Sequence, residues 1–173
     1  MFWKRREVRD DRDSVPADGV DELAPVRVFT STSVIDGWVD LDGQRLSDVL
    51  NVEDLLSLAS VASHPADNQW TAMERTELLL VVPPHHVADR RLRSHRVKRR
   101  IFVQSGHYQV RGLVHMVAGI GLDPFLARSR QHFLPVTEAS VTSTAWAELD
   151  EQHAALLVNV RNTEQPLKLE VLE

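Results

Sequence analysis

Apolar residues fall along the chain in short runs of strand length rather than in long helical arrays. Val26 to Thr30 and Ile35 to Leu41 are rich in β-branched residues, which suit a pleated, half-buried surface. Leu55 to Val61 with Leu78 to Val82, and Phe133 to Val141 with Ala155 to Val160, read as later strands. Two stretches carry helical spacing instead: Leu46, Val49 and Leu50, then Leu122, Phe125 and Leu126. Ser47 and Asp123 are the expected N-caps, with Pro124 at the first helical position, where its missing N–H costs nothing. Asn68 to Arg75 reads as a loop, in which Trp70 and Met73 either fold back on the core or stay exposed.

These elements occur twice. Val34 to Leu41 aligns with Gln109 to Met116, setting Gly37 on Gly112, Ile35 on Val110, Trp38 on Leu113 and Val39 on Val114. Val26-Arg27-Val28 meets Ile101-Phe102-Val103, Leu46 to Leu50 meets Leu122 to Leu126, and Leu55 to Leu58 meets Phe133 to Val136. Leu79-Leu80-Val81 then falls on Leu156-Leu157-Val158. The expected fold is β-rich α+β: an internal duplication of a strand–strand–helix–strand–strand unit, as two small subdomains packed with pseudo-twofold symmetry. Residues 1–24 form a charged tail, 25–88 the first unit, 89–98 a basic connector and 99–173 the second unit. Units this small are marginal alone, so the copies are expected to pack together. The shared glycine sits inside a strand pattern, which points to a bulge, a bend or close packing rather than a ligand. Equivalent positions carry opposite charges at Asp36 and Arg111, which near a twofold axis would attract.

Gly37-Trp38-Val39-Asp40-Leu41 followed by Arg45-Leu46-Ser47-Asp48-Val49-Leu50-Asn51 resembles the "GxVxL…RLSDxLN" pattern of an uncharacterised family of small bacterial β-rich domains. Phe133-Leu134-Pro135-Val136-Thr137-Glu138-Ala139 is similar to the "FLPVTDA" stretch that follows it there. The first copy keeps the helix motif and the second keeps the strand motif. That family carries no assigned activity, so the resemblance implies architecture only.

Composition narrows the chemistry. Of 173 residues none is cysteine, which removes disulfides, thiolate metal sites and cysteine nucleophiles and fits a reducing, cytoplasmic setting. No apolar run reaches the roughly 20 residues of a membrane span. Phe2 and Trp3 beside Lys4-Arg5-Arg6 offer at most weak membrane contact. Net charge is −5, yet Arg90, Arg91, Arg93, Arg96, Lys98, Arg99 and Arg100 crowd into one segment. That segment is the candidate anion site, for nucleic acid or an acidic protein. The plainer alternative is a solvated connector pairing with Asp10, Asp11 and Asp13 of the tail. No aromatic residues interleave with the cations and no nucleic-acid motif accompanies them.

Eight histidines include His85-His86, which would point to opposite strand faces, and His107 and His115, too far apart along a strand to share an ion. Phosphate loops, dinucleotide fingerprints and nucleophile elbows are absent. Asp36 and Asp40 fall on one strand face, better read as a polar surface than as an acid pair, since their counterparts are Arg111 and His115. The sequence therefore names no catalytic, cofactor-binding or metal residue, and no cofactor. The expected function is a non-enzymatic scaffold, adaptor or protein-interaction module, with a protein partner or self-association. The alternatives are anion binding through the Arg-rich segment and an enzyme with an unfamiliar site.

Overall fold

A computed structural model describes residues 23–60, 70–84, 96–162 and 167–172. The chain runs β1 (Leu23–Phe29), β2 (Val34–Asp40), α1 (Leu46–Val52), β3 (Leu55–Ser60), β4 (Trp70–Glu74) and β5 (Leu80–Val82). It continues with β6 (Arg96–Ser105), β7 (Tyr108–Val117), α2 (Leu122–Ser129), β8 (Phe133–Ser143), β9 (Asp150–Asn159) and β10 (Leu167–Leu172). Among the described residues ten strands join one sheet, in the order β10-β6-β7-β8-β9-β5-β1-β2-β3-β4. Each pairing in it is antiparallel. The β-rich expectation holds.

The middle of this sheet is buried on both faces, which is why its strands are continuous apolar runs rather than alternating ones. Along β9, Leu156 and Val158 point into one core with Tyr108, Val110 and Val136, while Leu157 points into the other with Val26, Leu46 and Leu58. In β5, Leu80 and Val81 divide in the same way. Phe29 reaches into the core of the second half, and Phe133 into that of the first. Tyr108 is fully buried and donates from its hydroxyl to the Thr30 carbonyl at 2.8 Å. The two halves thus complete each other's interiors.

Positions that align between the two stretches of sequence pair in similar registers. Val26 faces Gly37 and Ile101 faces Gly112; Val28 faces Ile35 and Val103 faces Val110. Trp38 faces Ala59 and Leu113 faces Thr137. A Cβ built on Gly37 would lie 2.6 Å from the Ala59 carbonyl oxygen, and one on Gly112 would lie 2.4 Å from Val136 Cγ1. Both glycines are therefore demanded by close packing. At Gly112 the β7–β8 ladder also shifts register, a bulge between Arg111 and Leu113.

Several expectations need correction. Asn68 to Arg75 is not simply a loop: Trp70–Glu74 is an edge strand, with Met73 turned into the core and Trp70 partly exposed. Leu79-Leu80-Val81 and Leu156-Leu157-Val158 do not occupy equivalent places. They lie beside each other, Leu80 on Val158 and Val81 on Leu157, while β3 pairs with β4 and β8 with β9. The junction of the halves joins unlike strands, whereas a twofold would set like strands together. Asp36 and Arg111 are separated by four strands and do not meet. Strand β6 begins at Arg96, so the end of the expected connector is sheet.

The helix caps also differ. Arg45 and Gly121 hold the N-cap positions without a side-chain bond, leaving Ser47 and Asp123 inside the first turn. Helix α2 ends on Arg130 in the left-handed conformation, φ 48°. Glycine adopts that backbone without the Cβ penalty. Arg130→Gly is expected to raise stability by about 0.5–1 kcal/mol in thermal denaturation.

Candidate anion-binding face

Strand β6 carries its cations at alternate positions. Directly opposed residues of an antiparallel pair project to the same face. The pairs Arg96–Val117, Lys98–His115, Arg100–Leu113 and Phe102–Arg111 therefore set Arg96, Lys98, Arg100 and Arg111 on one face, with Arg99 turned to the other. Successive cations of β6 stand about 6.8 Å apart along the strand, two residues at about 3.4 Å each. Arg96 to Arg100 and Arg111 are all exposed.

Strand β10 closes the outer side of this surface, Leu172 on Arg100 and Glu170 on Phe102, and β8 closes the other, Ser140 on Arg111. The Arg111 guanidinium lies over the Phe102 ring, 5.9 Å from its centroid, which steadies an otherwise mobile side chain. Lys98 Nζ stands 3.6 Å from Glu138 Oε1, with both groups more than half exposed. Pairs of that kind contribute little. Among the described residues Arg96, Arg99, Arg100 and Arg111 have no carboxylate partner. Between Arg100, Arg111, Leu113, Glu138, Ser140 and Leu172 lies a shallow depression of about 350 Å³.

Of the cations expected to form an anion site, Arg96, Lys98 and Arg100 come together here. Arg99 faces away, and Arg90, Arg91 and Arg93 lie outside the described residues. Arg111 completes the patch, and sequence reasoning missed it because a cross-strand neighbour has no signal without the register.

A second polar group binds the halves to each other. Arg27 holds Asp36 through two bonds of 2.7 and 2.8 Å and reaches Glu151 Oε1 at 2.7 Å, from β1 to β9. The Arg27 guanidinium keeps the Asp36 carboxyl below its ordinary value and is itself held more firmly charged by that bond. Glu151 Oε2 and His153 Nε2 lie 3.0 Å apart without the alignment of a hydrogen bond. This cluster consumes its own charges and leaves no converging free groups.

Among the described residues the other histidines, His107, His115 and His132, do not gather in one place. His115 meets the Thr137 hydroxyl at 3.2 Å, and His107 packs on Tyr108 and Trp146 with Nε2 buried and unpartnered among the described residues. His85 and His86, like Phe2 and Trp3, lie outside the described residues. Among the described residues no three histidine, aspartate or glutamate side chains gather as a metal site.

Burial pushes the His107 imidazole below its ordinary value, and burial together with Arg75 and Arg161 does so for His132. Both rings stay neutral in the fold at a pH where the unfolded chain binds protons. Their contribution is present above about pH 6.5 and is lost as pH falls through the lowered values. The melting temperature should drop between pH 7 and pH 5, and His107→Gln with His132→Gln should flatten that slope. A slope unchanged in the double variant would contradict it.

The motif halves noted in the sequence meet at a different place. Asn51 at the end of α1 accepts from the backbone N–H groups of His132 and Phe133, at 2.7 and 3.0 Å, and donates to the Ser47 carbonyl at 2.6 Å. Beside this contact a groove of about 260 Å³ runs between Arg45, Ser47, Pro84 and Pro135. Among the described residues no helix is long and apolar enough to cross a membrane. Comparison with family models, curated proteins and solved structures returns no match for this chain.

Proposed function

We propose that this chain is a non-enzymatic adaptor, built from two copies of one strand–strand–helix–strand–strand–strand unit, that takes an acidic protein segment on the outer face of β6 and β7. Duplication is supported by the shared ladder registers and by strand order, which runs 5-1-2-3-4 through the first half and 10-6-7-8-9 through the second. That order favours a head-to-tail junction over the twofold one. The likeness to a small bacterial domain family fits the same picture, because its helix motif on α1 touches its strand motif on β8 through Asn51.

The observation that carries the functional reading is the alignment of Arg96, Lys98, Arg100 and Arg111 on one exposed sheet face. Four cations on a rigid surface in a chain of net charge −5 are a local attractor for negative charge, and their spacing matches alternate side chains of an extended acidic strand. Protein is favoured over nucleic acid because, among the described residues, the phenylalanine of the patch, Phe102, is already covered by Arg111 and no tyrosine or tryptophan stands beside it.

The test is fluorescence anisotropy with a labelled peptide of alternating aspartate and serine. Binding is expected at low salt, weakening as salt rises. The variant carrying Arg96→Glu, Lys98→Glu, Arg100→Glu and Arg111→Glu should lose at least about tenfold in affinity. Equal binding by that variant overturns the reading, and tighter binding of oligothymidylate than of the peptide redirects it to nucleic acid.

A further inference from the structure

The basic face is not uniform. At its centre the depression beside the β7–β8 bulge is lined by Arg100 and Arg111, which stand at diagonal positions on adjacent strands with Cα atoms about 7–8 Å apart, the Arg111 guanidinium resting over Phe102. Ser140, directly opposite Arg111, adds a hydroxyl donor. The bulge also holds Glu138 in the left-handed region, φ 52°, a conformation costly for a residue with a Cβ. That conformation sets the Glu138 carboxylate on the wall of the depression, beside Lys98. Arg100 and Arg111 against Glu138 leave the lining of the depression with a net charge of +1, and Lys98 stands beside Glu138.

We infer that this depression is a pocket for a phosphomonoester dianion, carried by a phosphorylated side chain within the acidic segment; the inference rests on the reading proposed above. A phosphoserine brings a charge of roughly −1.5 to −2 and three strong acceptor oxygens, and two arginine forks with a hydroxyl supply donors for all three. A carboxylate at the same point brings half the charge and two oxygens, so it fills the pocket poorly. Lysine at position 100 or 111 would lose the planar fork that lets both residues grip one group. Glu138 opposes the dianion and limits its affinity, which keeps binding reversible. The unphosphorylated segment is then held by the face alone, and phosphorylation adds the pocket.

The experiment compares three labelled peptides of one acidic sequence, carrying serine, glutamate or phosphoserine at the centre, by anisotropy at the same low salt. The phosphopeptide is expected to bind at least about tenfold more tightly than the other two. Arg100→Gln and Arg111→Gln should each erase that difference, so that on either variant the phosphopeptide binds no more tightly than the serine peptide does on the same variant. Glu138→Gln should strengthen the phosphopeptide alone. Free phosphoserine should compete with the phosphopeptide and not with the serine peptide. Equal binding of all three peptides overturns the pocket and leaves the acidic-segment reading intact; absence of binding by any of them overturns both. A 5′-phosphorylated oligonucleotide that outcompetes the phosphopeptide at Arg100 and Arg111 would assign the pocket to nucleic acid instead.

Discussion

Gly112→Ala is expected to lower the free energy of unfolding by about 3 kcal/mol, and Gly112→Val to leave the chain largely unfolded without denaturant. A Cβ at this position would lie 2.4 Å from Val136 Cγ1, 2.9 Å from the Thr137 carbonyl oxygen and 3.3 Å from the Ala139 Cα. Val136 and Ala139 are completely buried, so neither can give way into solvent. The carbonyl belongs to the bulge, and moving it would disturb the one register shift in the β7–β8 ladder. Gly121→Ala is the control: its nearest neighbour would be Pro124 Cδ at 3.6 Å, ordinary contact. Urea denaturation of both variants checks the difference. Equal stability at the two positions would mean that β7 and β8 are not packed as described.

Asn51→Leu should cost about 2–4 kcal/mol, although Asn51 is only half buried. Its side-chain oxygen serves two backbone N–H groups, those of His132 and Phe133, and Phe133 is fully enclosed in the core of the first half. Leucine fills similar volume and leaves both donors without the partner they have here. Each orphaned buried donor costs roughly 1–3 kcal/mol, whereas the lost bond from Nδ2 to the Ser47 carbonyl at the helix end matters less. Chemical denaturation gives the magnitude, and hydrogen exchange gives the place: the Phe133 amide should lose protection before the centre of β9 does. Unchanged exchange at Phe133 would count against the contact.

Much of the sheet was legible because burial writes itself into local pattern. β1, β2 and β8 are β-branched, the helices carry three-and-four spacing, and the two glycines sit where backbone meets side chain. β10 was not expected, although Leu167, Leu169 and Val171 alternate there with Lys168 and Glu170. β4 has no such pattern: as an edge strand it buries one side chain of five, Met73. The two apolar runs at the centre misled the alignment, because strands buried on both faces look alike wherever they stand.

The candidate site was half visible for a related reason. A run of cations suggests a solvated connector until period-two spacing is recognised in it, with Val97, Ile101 and Val103 as the alternate residues. Arg111 and Glu138 joined the site through register and through a bulge, which are set by pairing between segments distant in sequence. Asn51 offers the same lesson, since its partners lie 81 and 82 residues away.

The working surface we propose is the outer face of β6 and β7. The most direct measurement is amide chemical-shift mapping on the isotope-labelled chain titrated with the acidic peptide. Shifts are expected to concentrate at residues 96–102 and 109–115, with Ser140 beside them and the Asn51 groove unmoved. Shifts confined to the Arg45–Pro135 groove or to the β4 edge, with β6 and β7 silent, would contradict it.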